Sequence, residues 1–183
     1  MGDIRAAGSD GGKQNIPEKC AMRAAIITSS DSGYAGERED RSGPLIREIL
    51  EEGGYEVVHS ILLPDERKLL AEEMARIADE GLAELILTTG GTGFSPRDCM
   101  PEATMDAAER MVPGIPEAMR AYSMTITNRA MLSRAAAGIR KSTLIVNLPG
   151  SPKAVRESLE YILPALAHGL EILTGRASNC GRT

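Results

Sequence analysis

Apolar residues along this chain fall into short solid runs and longer spaced stripes, and the two alternate. Arg23–Thr28 is a solid run centred on Ala24-Ala25-Ile26-Ile27 and predicts a buried strand. Ser42–Glu52 puts Leu45, Ile46, Ile49 and Leu50 on one helical face, and Gly53-Gly54 ends it. Glu56–Leu63, rich in Val, Ile and Leu, predicts a second strand. Glu66–Glu80 carries Leu69, Leu70, Met74 and Ile77 as a helical stripe, stopped by Gly81. Leu85–Leu87 predicts a third strand. Two helical stretches follow, about Pro101–Arg110 and Pro116–Arg129, divided by Pro113-Gly114. Thr143–Asn147 predicts a further strand. Ser151–Leu173 predicts a long final helix striped by Val155, Leu159, Ile162, Leu166 and Leu173.

Alternation of strand and helix implies an α/β fold with right-handed crossovers. The expected architecture is a three-layer αβα domain with a mostly parallel central sheet. A chain of 183 residues fits one such domain. It is expected over residues 22–175. Residues 1–21 are rich in Gly, Ser, Asp and Lys with almost no apolar content, and read as a disordered leader. Residues 176–183 read as a flexible tail.

Composition narrows the function. One Phe, four Tyr and no Trp leave little to stack on bases, and a net charge of −5 lacks the basic excess of nucleic-acid binders. No nucleic-acid partner is therefore expected. No uncharged apolar run reaches membrane-spanning length, and the N-terminus has no signal-like apolar stretch, so no membrane partner is expected either. The three cysteines, Cys20, Cys99 and Cys180, are dispersed and form no CxxC. Zinc and a disulfide framework are disfavoured, and a reducing, cytoplasmic setting is expected.

Four polar segments directly follow predicted strands. They are Ser29–Gly33, continuing to Asp40–Pro44; Pro64-Asp65; Thr88–Asp98; and Asn147–Pro152. In an open parallel sheet, ligands bind beyond the carboxyl ends of the strands, so all four should converge on one rim. The third, Thr88-Thr89-Gly90-Gly91-Thr92-Gly93, packs three glycines and three threonines into six residues. Glycine lets backbone N–H groups approach an anion closely. The stretch lacks the Gly-Lys-Ser/Thr ending of a P-loop and the G-x-G-x-x-G of a dinucleotide fold. Asp65 and Asp98 fall on neighbouring rim loops, with Asp40 close by. One or two carboxylates plus substrate phosphates suffice for magnesium. Each aspartate also has a plainer reading: Asp65 as a helix cap, Asp98 as a partner for Arg97. Ser151 opens the last helix and serves equally as its N-cap or as part of an anion site. Lys153 in the same turn adds a positive charge. His59 and His168 have no nucleophile to serve, and Cys99 has no evident base.

These residues together resemble the molybdopterin adenylyltransferase family, the Mog/MoaB-like proteins. The matching elements are Ser30-Asp31, Asp40–Gly43, Leu63-Pro64-Asp65, Thr88–Gly93, Arg97-Asp98, Pro101-Glu102-Ala103, Leu132-Ser133-Arg134 and Asn147–Pro152, in order over about Ala24–Gly175. The resemblance implies Mg2+-dependent transfer of AMP from ATP to molybdopterin, releasing pyrophosphate. It implies Asp65 and Asp98 as catalytic, magnesium-associated residues. It implies that Ser30, Asp31, Asp40, Thr89, Gly90, Gly91, Thr92, Gly93, Asn147, Pro149, Gly150 and Ser151 surround pterin and nucleotide. A homo-oligomer, trimer or hexamer, and a molybdate-insertion partner protein are also implied. The chain departs from the family at Cys99-Met100, where an aliphatic residue and Thr are usual. MoaB-type relatives that bind without adenylylating tend to lose the Arg-Asp pair, and here Arg97-Asp98 is present.

Overall fold

The computed structural model describes residues 21–176; of the leader and tail assigned above, only Ala21 and Arg176 lie among them. The elements in chain order are β1 (Arg23–Ser29), α1 (Asp31–Tyr34), α2 (Ser42–Glu52), β2 (Glu56–Leu63), α3 (Arg67–Asp79), β3 (Leu85–Thr89), α4 (Met100–Ala107), β4 (Arg110–Met111), α5 (Gly114–Met124), a 3-10 turn (Asn128–Leu132), β5 (Ala137–Arg140), β6 (Thr143–Leu148) and α6 (Pro152–Leu173). They build a six-stranded sheet of order β2-β1-β3-β6-β5-β4. The first four strands in that order run parallel, and β5 and β4 are added antiparallel.

Strands β3 and β6 are buried at every position, as strands covered on both faces must be. Because successive side chains point to opposite faces, the sheet sorts its own core. Ala24, Ile26, Leu85, Leu87, Leu144 and Val146 pack on one face against α2, α5 and α6. Ala25, Ile27, Ile86 and Ile145 pack on the other against α3 and α4. This is the expected three-layer arrangement. Edge strand β2 instead alternates exposed and half-buried positions over most of its length.

Three features depart from expectation. Strand β3 runs on to Thr89, so Thr88 and Thr89 belong to the sheet and are fully buried. The antiparallel pair β4 and β5 is additional. Gly138 in β5 packs closely on the residue that ends α4: a Cβ there would lie 2.5 Å from the Ala108 Cβ. The β5–β6 hairpin turns at Lys141-Ser142, with Lys141 at a φ of 49°. Third, the predicted Pro116–Arg129 helix ends at Met124 and gives way to the 3-10 turn.

The β5 end of this hairpin is tied to α3. Arg140 grips Asp79 with two hydrogen bonds, 2.9 and 2.7 Å, and the Lys141 ammonium lies 3.0 Å from the same carboxylate. Arg140 and then Lys141 hold the Asp79 carboxyl down at about 2. A carboxyl depressed in the folded state contributes stability above its unfolded value, near 3.8. That contribution is lost as pH falls through about 2. Asp79→Asn is therefore expected to be less stable than wild type near neutrality and to converge with it at the acid end. Urea unfolding at stepped pH checks this; a constant gap across the window refutes it.

Candidate active site

The carboxyl ends of β1, β2, β3 and β6 do meet at one rim. A cleft of about 680 Å3 opens there, lined by Thr28–Ser30, Arg38–Ser42, Leu62, Thr89-Gly90 and Gly150–Pro152, among others. Its size suits a nucleotide-scale ligand. Of the residues predicted for the site, Ser30, Asp40, Thr89, Gly90, Gly150 and Ser151 line it directly.

The rim loops are tied to one another by their own polar groups. Thr89 Oγ1 donates to the Pro149 carbonyl at 2.6 Å, joining the ends of β3 and β6. Ser42 Oγ donates to the Gly150 carbonyl at 2.9 Å, joining α2 to the same loop. Asp40 Oδ1 accepts from the N–H groups of Ser42 and Gly43, both at 2.9 Å, so it caps the start of α2. Its Oδ2 accepts from Thr28 Oγ1 at 2.7 Å. Ser30 caps α1 by accepting from Gly33 N at 3.1 Å, and Ser151 caps α6 by accepting from Ala154 N at 3.3 Å.

Asp65 and Asp98 stand beside the glycine loop, outside the lining of the cleft. Asp65 Oδ1 lies 3.3 Å from where a Cβ on Gly91 would be, and Asp98 Oδ2 lies 2.8 Å from the equivalent point on Gly93. Asp65 caps no helix: it lies just before α3, as Asp40 does before α2, but accepts from no N–H of that helix. Its Oδ1 accepts from Ser29 Oγ at 2.5 Å, and its Oδ2 from Asp31 N at 3.0 Å. Asp31 Oδ1 returns the bond, accepting from Asp65 N at 3.0 Å. Asp98 Oδ2 accepts from Ser95 N at 2.9 Å. Its Oδ1 takes no hydrogen bond from the described residues.

Arg97 does not pair with Asp98. It forks onto Asp31 at 2.9 and 3.1 Å and reaches Glu66 at 2.8 Å, bridging three rim loops. That bond and the one from Asp65 N hold the Asp31 carboxyl below the usual carboxylate range. Burial pushes the Cys99 thiol up, and the Asp65 charge adds to the push. The thiol therefore stays protonated at neutral pH and packs with the core face around α4. Lys153 pairs with Glu157 at 3.8 Å on the surface of α6.

In the loop Gly91–Gly93, the N–H groups of all three residues draw no acceptor from the described residues. Their carbonyls are all engaged: Gly91 by Met100 N at 3.1 Å, Thr92 by Arg134 N at 3.0 Å and Gly93 by Arg134 Nε at 2.7 Å. A loop with occupied acceptors and spare donors is suited to an anion. Thr92 and Gly93 also line a second cavity of about 300 Å3, together with Pro149 and residues of α5 and α6.

Asn147 stands apart from this set. It is fully buried in β6, donating to Thr88 Oγ1 at 2.9 Å and Thr104 Oγ1 at 2.7 Å. Its Oδ1 accepts from Ala136 N at 3.0 Å. It pins the sheet beneath the rim. Sequence reasoning misses Arg38, whose charged loop reads as a solvated face. Arg38 lines the cleft and makes no ion pair among the described residues. Nothing in its local sequence marks it; only the fold brings it to the rim.

The comparison with known proteins decides the family. A family model described as "Probable molybdopterin binding domain" matches residues 25–168. The chain belongs to this family. The molybdopterin-binding-domain match takes in every rim loop just described. Among its curated relatives, a molybdopterin adenylyltransferase of Helicobacter pylori J99 is 40% identical over 156 residues, covering 84% of this chain and 89% of the relative. The molybdopterin adenylyltransferase of Escherichia coli K12 is 36% identical, with 81% and 80% covered. Among solved structures, the molybdopterin biosynthesis enzyme MoaB of Thermus thermophilus is 49% identical with a TM-score of 0.80, covering 84% of this chain and 97% of that one. The Mog protein of Mycobacterium ulcerans is 35% identical with a TM-score of 0.78, covering 85% and 98%.

Proposed function

We propose that this protein transfers AMP from ATP to the terminal phosphate of molybdopterin, releasing pyrophosphate, and that it does so in the cytoplasm. The observation that carries the reading is the pair Asp65 and Asp98, set against two glycines of a loop with three free N–H donors. The attacking phosphate oxygen is already anionic, so no strong base is needed. The barrier lies in bringing two anions together, which positioned donors and cations lower.

Two carboxylates beside an anion cradle repel the substrates unless a cation intervenes. Among the described residues no group of three or more His, Cys, Asp or Glu side chains is arranged to hold a metal alone. Magnesium bound by Asp65 and Asp98 and completed by substrate phosphates fits this donor set. Asp98 Oδ1 is free for it, and Asp65 keeps a lone pair on each oxygen beyond its single hydrogen bond. When bound, the ion supplies charge neutralisation between the two phosphates. The chain's own part is positional. Gly91–Gly93 offers donors to phosphate oxygens, Arg38 offers the cleft a cation with no ion pair among the described residues, and Ser151 opens a helix whose N-terminus faces the same space.

A second reading is binding of molybdopterin without turnover, which is all that a molybdopterin binding domain requires. The retained Arg97-Asp98 pair favours catalysis. Purified protein, molybdopterin and Mg-ATP separate the two readings by pyrophosphate release and by mass detection of adenylylated molybdopterin. Binding with no release at any Mg2+ concentration selects the second reading. Exposed Met124, Ile126, Met131 and Leu132, grouped along the α5 end and the 3-10 turn, support assembly as a homo-oligomer, a trimer or a hexamer. The product would pass to a molybdate-insertion partner protein. Among the described residues no helix is long and apolar enough to cross a membrane.

A further inference from the structure

Arg134 lies between the 3-10 turn and β5, 36 positions from Asp98 in sequence, yet it ties down both ends of the loop that carries Asp98. Its backbone N–H takes the Thr92 carbonyl at 3.0 Å. Its guanidinium donates through Nε to the Gly93 carbonyl at 2.7 Å and through Nη2 to the Asp98 carbonyl at 2.8 Å. The remaining Nη1 is held by Glu102 Oε1, from the first turn of α4. Every one of these bonds draws a carbonyl or a carboxylate toward Arg134. The N–H groups of Gly91, Thr92 and Gly93 are left for acceptors other than the described residues.

We infer that Arg134 is a positioning residue for adenylyl transfer, holding residues 92–98 so that the N–H groups of Gly91–Gly93 and the Asp98 carboxylate face the substrates. The inference rests on the function proposed above. The guanidinium is well suited to the task because its planar fork serves two carbonyls and a carboxylate at once. A lysine ammonium in the same place is a point charge with no fixed fork. Glu102 is committed to Arg134: its other oxygen, Oε2, is buried with no hydrogen-bond partner. Burial is the largest single influence and raises the Glu102 carboxyl, but the bond from Arg134, a backbone hydrogen bond and the Arg134 and Arg67 charges together outweigh it, and the net direction is down. The carboxylate thus stays charged and keeps the guanidinium oriented. Arg134 touches no reacting atom by this account.

The test uses the full chain with Arg134→Lys and Arg134→Ala. Hydrogen–deuterium exchange over residues 91–98 reads the loop, exchange in β1 and β3 reads the fold, and steady-state adenylylation reads the consequence. In Arg134→Lys, exchange is expected to rise over residues 91–98 with β1 and β3 unchanged. Its kcat is expected to fall by roughly 10²-fold, the scale of a 1 Å misplacement, with KM for Mg-ATP near the wild-type value. Added guanidinium ion is expected to recover part of the kcat of Arg134→Ala. Unchanged loop exchange in Arg134→Lys overturns the inference. So does an unchanged kcat despite faster loop exchange. A loss of protection throughout the sheet, with no guanidinium recovery, assigns Arg134 to folding alone and also overturns it. If wild-type protein shows no turnover, the proposed function fails and the positioning role fails with it; the exchange data then still show whether Arg134 holds the loop.

Discussion

Asp98→Asn is expected to lower kcat for adenylyl transfer by about 10²–10³-fold, the range seen when one preorganised electrostatic contact is removed. Stability should hardly change. The structural bond made by this side chain is the one Oδ2 accepts from Ser95 N, and an amide oxygen can take over that role. What the substitution removes is the negative charge and the free Oδ1 beside the glycine loop. The loss should therefore appear as a weaker response to Mg2+ as well as a lower kcat, with an unfolding midpoint close to wild type. Asp65→Asn is a less clean probe. Both Asp65 oxygens accept, one from Ser29 Oγ and one from Asp31 N. An amide keeps both bonds only if its NH2 faces Ser29 and that hydroxyl turns round to accept, so the substitution reverses a rim hydrogen bond as well as removing the charge. Turnover undiminished in Asp98→Asn removes this residue from the mechanism, and a loss that tracks thermal stability instead makes it structural.

The parts of the fold that the chain announces are those fixed by strong local pattern. Helix α2 and strand β2 lie where the apolar spacing puts them, because a helical stripe ended by Gly53-Gly54 and a Val/Ile/Leu run each have few alternatives. The antiparallel pair was hidden for physical reasons. Ala137–Arg140 is four residues long and contains a glycine kept small by Ala108, so it has no strand signature of its own. Its turn uses Lys141 at positive φ where Asn or Gly would have signalled a hairpin. Thr88 and Thr89 read as loop because they are polar. They belong in the sheet because distant partners satisfy them: Asn147 bonds Thr88, and the Pro149 carbonyl bonds Thr89.

The candidate site divides along the same line. The rim follows from strand order, so the meeting of the Ser30, Gly90 and Gly150 loops could be read from alternation alone. The roles within it could not. Whether an aspartate caps a helix or stands ready for a ligand depends on partners far along the chain. Asp40 caps α2, whereas Asp65 is held by Ser29 and Asp31, more than thirty positions away. Asn147 carried the same motif signal as its neighbours. Strand alternation turned it into the core instead of the cleft.

Gly90→Ala is expected to be the most destabilising single change at the rim. Gly90 sits at a φ of 92°, and a Cβ there would lie 2.2 Å from the Ser29 carbonyl oxygen. That obstacle is backbone at the end of a central strand, so it cannot swing aside as a side chain would. Gly36 gives the comparison, since it has a φ of 75° with nothing within 4 Å of its Cβ position. Gly36→Ala should cost only the left-handed strain, about 1 kcal/mol. Gly90→Ala adds displacement of the β1 end, and a total of roughly 3 kcal/mol or more is expected. In a domain of this size that lowers the unfolding midpoint by roughly 10 °C. Activity should fall beyond what stability explains, because the displaced residue, Ser29, also holds Asp65 through its hydroxyl. Calorimetry on the two variants side by side decides it. Equal midpoints would mean that the β3 and β1 ends part at little cost, and that the contact at Gly90 does not set the geometry of the rim.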